Sequence, residues 1–78
     1  MASFSVRVLN ADQEPITGAR VALMFKDPLR GITTEEYTDS DGFAYFEGYD
    51  EGEIDVIVRG SSNGSYYYRD GDSITITE

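Results

Sequence analysis

Cysteine and histidine are both absent from the sequence. Without cysteine there is no disulfide framework, no thiolate nucleophile and no cysteine-based zinc site. Without histidine the chain lacks the commonest general base and the commonest transition-metal ligand. Serine and threonine are abundant, but no base accompanies them to activate a hydroxyl. We therefore expect no catalytic residues, no cofactor and no enzymatic activity.

Positive charge is scarce, since 6 Lys and Arg residues face 15 Asp and Glu residues and leave a net charge of −9. Phosphate backbones and anionic membrane surfaces are bound through clustered cations, and the sequence shows no such cluster. No stretch approaches the ~20 apolar residues that span a bilayer. We therefore expect neither a nucleic-acid partner nor membrane insertion, and we attribute the excess negative charge to solubility.

With 78 residues, the chain is expected to form one domain over residues 1–78. A domain of this size buries only a little over ~60% of the surface that its unfolded chain exposes, so the core must be thin. Aromatic residues make up 13% of the chain and six of them are tyrosines, which argues against a disordered acidic segment.

Apolar residues alternate with polar ones in short runs that turn residues separate, which is typical of strands and not of helices. We predict strands over residues 4–8, 19–26, 32–38, 43–47, 53–59, 65–69 and 73–77. Packing two sheets face to face buries both inner faces, so we predict an all-β, antiparallel β-sandwich of about seven strands.

The alternation also predicts which side chains point inward. Ala19, Val21, Leu23 and Phe25 are expected to face the core, and Arg20, Ala22, Met24 and Lys26 to face outward. Phe46 is expected to lie between the sheets. The glycine- and serine-rich residues 60–64 indicate a flexible loop, and residues 27–31 indicate another loop. Either 4–8 or 73–77 is expected to be an edge strand that can pair with another chain.

Two sequence blocks carry a family resemblance. The first is the Pro-Ile-Thr-Gly-Ala-Arg-Val run at 15–21, and the second is Thr-Asp-Ser-Asp-Gly-Phe-Ala-Tyr-Phe at 38–46. Further elements follow the second block: Gly48-Tyr49, Gly52, and the alternating Ile54, Val56 and Val58. In this order they resemble carboxypeptidase regulatory-like domains and the related Cna B-type domains, which share a transthyretin-like (prealbumin-like) β-sandwich. The resemblance covers roughly residues 4–58.

The resemblance implies a non-catalytic structural or protein-interaction module of a larger surface or secreted protein. The alternative within such families is a carbohydrate-binding accessory domain. Many Cna B-type domains form a Lys–Asn isopeptide bond between the first and last strands, but here the first strand offers Arg7 and residues 73–78 contain no Asn. We therefore expect no such crosslink. The start of the chain has no signal-peptide pattern, so an extracellular location follows from the resemblance alone.

Acidic turn residues suggest one candidate site. If successive strands alternate in direction, Asp12, Glu14, Asp39 and Asp41 collect at one end of the sandwich, where their carboxylates are candidate Ca²⁺ ligands. The alternative interpretation is that Asp forms good turns: Asp39 can accept hydrogen bonds from amides of its own turn, and glycine supplies the positive φ. Turn chemistry alone explains these residues, and we expect no metal site.

Outward aromatic residues suggest a second candidate site. Phe43, Tyr45 and Tyr67 are predicted to point away from the core, where aromatic rings can stack on sugars or seat a protein partner. The alternative is that these rings only pair across neighbouring strands and stabilise the outer face. The partner, whether a protein or a glycan, is not identified by the sequence.

Overall fold

The computed structural model describes residues 2–27 and 29–78, so Pro28 of the expected loop at 27–31 lies outside the described residues. Within these ranges the chain forms seven strands and no helix. The strands are β1 (Ala2–Leu9), β2 (Arg20–Phe25), β3 (Glu36–Tyr37), β4 (Phe43–Tyr49), β5 (Gly52–Val58), β6 (Ser61–Tyr68) and β7 (Asp72–Thr77). A three-stranded sheet has the order β4-β1-β7 and a four-stranded sheet the order β3-β2-β5-β6. The predicted all-β sandwich is confirmed.

The core lies between the two sheets and contains the inward residues of every strand except β3. Its buried members are Phe4, Val6, Val8, Ala19, Val21, Leu23, Phe25, Ala44, Phe46, Ile54, Val56, Val58, Tyr68 and Ile76. The predicted inward positions of β2 and of Phe46 are confirmed. Ala22 points to the outer side as expected, opposite Ile57 on the neighbouring strand, but it is buried there. Removing this apolar surface from water is the main force that holds the sheets together.

The first and last strands are neighbours and run in the same direction. β1 pairs antiparallel with β4 but parallel with β7, in a regular register from Phe4 opposite Asp72 to Leu9 opposite Thr77. The sandwich is thus mixed at this pair, whereas an antiparallel arrangement was expected. The turn after β6 lies at the end of the sandwich where β1 starts, and it takes the chain across to the other sheet. β7 therefore runs beside β1 in the same direction.

The sheet order decides which strands are edges. Residues 4–8 were offered as one of two candidate edge strands, but β1 is the central strand of its sheet because β7 covers its second side. The other candidate, 73–77, is an edge strand, and β4, β3 and β6 are the remaining edges.

Threonine side chains take over part of the pairing along β2. The strand expected at 32–38 has regular ladder geometry only in the two residues of β3. On either side of β3, the Thr33 hydroxyl accepts a hydrogen bond from the Leu23 amide (3.0 Å) and the Thr38 hydroxyl accepts one from the Ala19 amide (2.8 Å). The edge of β2 is therefore satisfied by side-chain oxygens where the backbone ladder lapses.

The flexible loop expected at residues 60–64 does not form. β6 begins at Ser61, which pairs with Val58, so β5 and β6 are joined by the two residues Arg59 and Gly60. Both have positive φ (53° and 83°), which suits the right-handed twist of a tight hairpin. The serine-rich composition was misleading because Arg59 and Gly60 make the turn, and the serines that follow belong to β6.

Candidate functional site

The three candidate aromatic residues lie on opposite outer faces of the sandwich. Phe43 and Tyr45 belong to β4, and their cross-strand partners are Arg7 and Ser5 on the outward side of β1. Tyr67 belongs to β6 and lies opposite Glu53, on the outer face of the other sheet. The expectation of one ligand site built from all three rings is wrong, because β4 and β6 lie in different sheets.

Phe43 and Tyr45 form a stacked pair on the three-stranded sheet. Their ring centroids are 5.8 Å apart and the ring planes differ by 21°. The Arg7 guanidinium lies 5.2 Å from the centre of the Phe43 ring, and its Nε donates to the Asp41 carbonyl at 3.1 Å. Phe43 is thereby half-buried, whereas the Tyr45 side chain remains 61% exposed. Cross-strand packing thus accounts for Phe43, and Tyr45 retains an open ring.

An open groove of about 450 Å³ lies beside Tyr45 on this outer face. Ser3 and Ser5 of the central strand form its floor, Tyr45 and Glu47 of β4 form one wall, and Gly71 and Asp72 line it on the other side of β1. The groove exists because small serines sit between larger side chains on the flanking strands. Sequence reasoning singled out only Tyr45 of these residues. Glu47 shares its face by alternation within β4, whereas the residues of β1 and β7 become neighbours only through strand pairing.

The four calcium candidates lie in turns at the end where β1 finishes. The Asp39 carboxylate accepts hydrogen bonds from the amides of Asp41 (2.9 Å) and Phe43 (3.0 Å), and Glu14 accepts one from the Asn10 side chain (3.2 Å). In the described part of the chain, no three acidic side chains gather in a way that could hold a metal ion. The amide bonds to Asp39 are those that the turn-forming interpretation predicts.

Tyr68 is the largest fully buried side chain among the described residues. Its ring packs against Phe4 at 5.0 Å, Phe25 at 5.8 Å and Tyr49 at 6.1 Å between ring centres. Burial raises the pKa of its hydroxyl above the ordinary value of 10.0, although a hydrogen bond to the backbone of Tyr49 acts in the opposite direction. The group therefore stays neutral at physiological pH and serves the core.

Over the described residues, these two sheets form the small seven-stranded all-β sandwich that the sequence analysis predicted. No protein-family model matches the sequence, and no curated protein matches it significantly. In the described residues, no helix is long and apolar enough to cross a membrane.

Three solved structures are similar to almost the whole chain, with 99% of it covered in each case. They are the major pilin subunit BcpA (D312A variant) of Bacillus cereus, with a TM-score of 0.70 and 13% identity, the Bacillus anthracis TIE protein (0.69, 13%), and the pilus 2b backbone protein of group B streptococcus (0.66, 14%). The chain spans 28%, 16% and 39% of those chains, respectively. At this identity the likeness establishes the fold.

Proposed function

We propose that this domain is a non-catalytic structural module that acts as a force-resisting spacer in a longer chain, outside the cell or on its surface. Two of the three similar structures are described as a pilin subunit and a pilus backbone protein, and the similar region is a part of each longer chain. The composition supports a role without catalysis, since the sequence has neither histidine nor cysteine.

The parallel pairing of β1 with β7 carries the proposal. β1 starts at one end of the sandwich, and β7 finishes at the other, where the Glu78 amide donates to the Leu9 carbonyl at 2.9 Å. At the first end, the Gly71 amide donates to the Ser3 carbonyl at 2.8 Å. The chain therefore enters the domain at one end and leaves it at the other, as is needed for domains that follow one another in a linear array.

This arrangement determines how tension would act on the domain. Pulling the two chain ends apart slides β1 along β7, so all hydrogen bonds of the ladder are stretched together. An antiparallel hairpin pulled at its open end breaks its bonds one after another, at lower force. β1 contains no lysine and β7 no asparagine, so the resistance comes from this ladder and the core beneath it without an isopeptide crosslink.

Single-molecule force spectroscopy tests the proposal directly. Because the chain has no cysteine, Ala11→Cys together with a cysteine after Glu78 gives a second pulling geometry, in which both handles lie at the same end and β1 unzips from β7. We expect a clearly higher unfolding force when the domain is pulled from its two ends than in the same-end geometry. Equal forces in the two geometries would exclude a role in bearing tension.

A further inference from the structure

All six cationic side chains of the sequence already have partners inside the domain. Three lie over aromatic rings: Arg7 over Phe43 at 5.2 Å, Arg30 over Phe25 at 3.6 Å and Arg69 over Tyr67 at 4.8 Å from guanidinium carbon to ring centre. The other three form ion pairs: Arg20 with Glu35, Lys26 with Asp55 and Arg59 with Glu78. Each lysine and arginine side chain therefore already has an aromatic or acidic partner.

Tyr45 is an exposed ring in acidic surroundings and has no such partner. Within residues 2–27 and 29–78 no guanidinium or ammonium group lies over it, and the Glu47 carboxylate beside it has no hydrogen-bond or ion-pair partner. Asp72 also lines the groove, but it pairs with the inward Phe4 in the β1–β7 ladder, and its carboxylate accepts a hydrogen bond from the Ser73 amide at 2.9 Å. The groove thus combines an open aromatic face with the carboxylate of Glu47.

This combination selects for positive charge. A guanidinium or ammonium group is attracted to the face of an aromatic ring, and a neighbouring carboxylate strengthens the attraction. Phosphates and other anions are repelled by Glu47 and Asp72 and by the net charge of −9. Stacking of Tyr45 on Phe43 holds the ring in place, so little side-chain entropy is lost on binding.

We propose that the groove formed by Ser3, Ser5, Tyr45, Glu47 and Asp72 binds an arginine side chain of a basic protein segment. The guanidinium lies over Tyr45 and donates hydrogen bonds to Glu47, while the serine floor leaves room for the aliphatic stem. Arginine fits better than lysine because its planar group stacks on a ring and donates in several directions. The proposal deepens the structural role above by giving the module a protein partner.

The test is an amide NMR titration of the labelled domain with the peptide acetyl-Gly-Ser-Arg-Ser-Gly-amide. The matched probe is the same peptide with citrulline in place of arginine, which keeps the shape and removes the charge. We expect shifts confined to the five groove residues, about tenfold weaker binding of the citrulline peptide, and weaker arginine binding as ionic strength rises.

Variants separate this site from the rest of the acidic surface. Tyr45→Thr and Glu47→Gln are expected to weaken binding, whereas Tyr37→Thr is expected to leave it unchanged, because Tyr37 is equally exposed (63%) but lies in the other sheet. Glu47→Gln preserves the shape of the side chain. Its effect on arginine binding therefore tests the site even if Tyr45→Thr perturbs the strand.

Three results would overturn the proposal: equal binding of the two peptides, shifts spread over the whole surface, or shifts in the groove only with a neutral oligosaccharide. The last would identify a glycan site instead. None of them alters the unfolding forces in the two pulling geometries, so the proposed structural role stands or falls separately.

Discussion

At the end of the sandwich where β1 finishes, the turns are held by hydrogen bonds within each turn. The Asn10 side-chain oxygen accepts from the amides of Asp12 (2.9 Å) and Glu14 (3.0 Å). The Asp39 carboxylate does the same for Asp41 and Phe43. In each turn, the side-chain acceptor thus binds the amides of the residues two and four positions after it.

At the opposite end, side chains connect segments that are far apart in sequence. The Arg30 guanidinium covers the Phe25 ring and donates to the Glu51 carbonyl at 3.0 Å. Asp70 accepts from the Ser3 amide at 2.9 Å, and its own amide donates to the Glu51 carboxylate at 2.9 Å. These contacts join the loops that follow β2, β4 and β6 to the start of β1.

The two ends of the sandwich are thus stabilised in different ways, one by side-chain hydrogen bonds within turns and the other by side-chain contacts between distant segments. Turns of the first kind can form as soon as the local chain bends, because donor and acceptor are close in sequence. Contacts of the second kind form only when distant strands are in place. We therefore expect substitutions of Asn10 and Asp39, which bind amides of their own turns, to act independently, and substitutions at the second end to be coupled.

Gly42→Ala is expected to have the largest effect. Gly42 has a φ of +84°, and a Cβ there would lie 2.7 Å from the Val8 carbonyl oxygen and 3.0 Å from the Pro15 side chain. Backbone strain and the clash together should reduce the free energy of unfolding by about 2–4 kcal/mol, measured by urea denaturation. Gly18→Ala is the control, since its φ is +74° but the space around it is open. Equal losses would show that the close approach is unimportant.

Asp39→Ala should lower the free energy of unfolding by about 1–2 kcal/mol, because two amides lose their acceptor. Asp39→Asn retains an acceptor oxygen and should recover most of this loss in the same denaturation experiment. Asp41→Asn is the control in the same turn, because the structure gives only backbone bonds for Asp41. If Asp39→Asn is as unstable as Asp39→Ala, charge and not geometry holds this turn.

Arg30→Ala should lower the free energy of unfolding by about 1 kcal/mol, and the size of this loss should depend on the residue at position 52. A Cβ on Gly52 would lie 2.5 Å from Nη1 of Arg30. Gly52→Ala should therefore be harmful with Arg30 present and nearly silent with Arg30→Ala, as a double-mutant cycle measures. Arg30→Ala and Asp39→Ala, at opposite ends, should be additive. Additivity of the first pair would mean that the far end is not coupled.

The buried Tyr68 hydroxyl should make the stability of the domain depend on pH. Its pKa is raised in the folded state, so the unfolded chain loses this proton first and its contribution to stability is fully present below pH 10.0. Stability should fall as the pH rises from there through the folded pKa. Urea denaturation at several alkaline pH values should show a shallower decline in Tyr68→Phe. Parallel declines in the two proteins would rule out burial of this hydroxyl as the cause.

Much of the fold could be predicted from residue patterns. The alternation in β2 and β5 gives the buried faces correctly because side chains in a strand point alternately to opposite sides. The Asp39 turn was equally accessible, since its donors, acceptor and glycine all lie within five residues of sequence. The hairpin at Arg59–Gly60 was missed because composition alone does not give the position of a turn within a serine-rich segment.

The candidate site was only partly accessible. Tyr45 was correctly expected to point outward, and Glu47 follows on the same face two residues later, but the serines of β1 lie beside them only because β1 pairs with β4. The same pairing separates Tyr67 from the other two rings. Exposure of a ring follows from alternation, whereas its neighbours follow from which strands share a sheet.

The sequence by itself determined the strands, their buried faces, the self-contained turns and the exclusion of cysteine and histidine chemistry. Only the tertiary structure decided that the last strand runs parallel to the first, that β1 is central and that Arg30 bridges distant loops. The physical reason is range: dihedral preferences and side-chain alternation act over a few residues, while strand order is settled by burial of apolar surface from the whole chain.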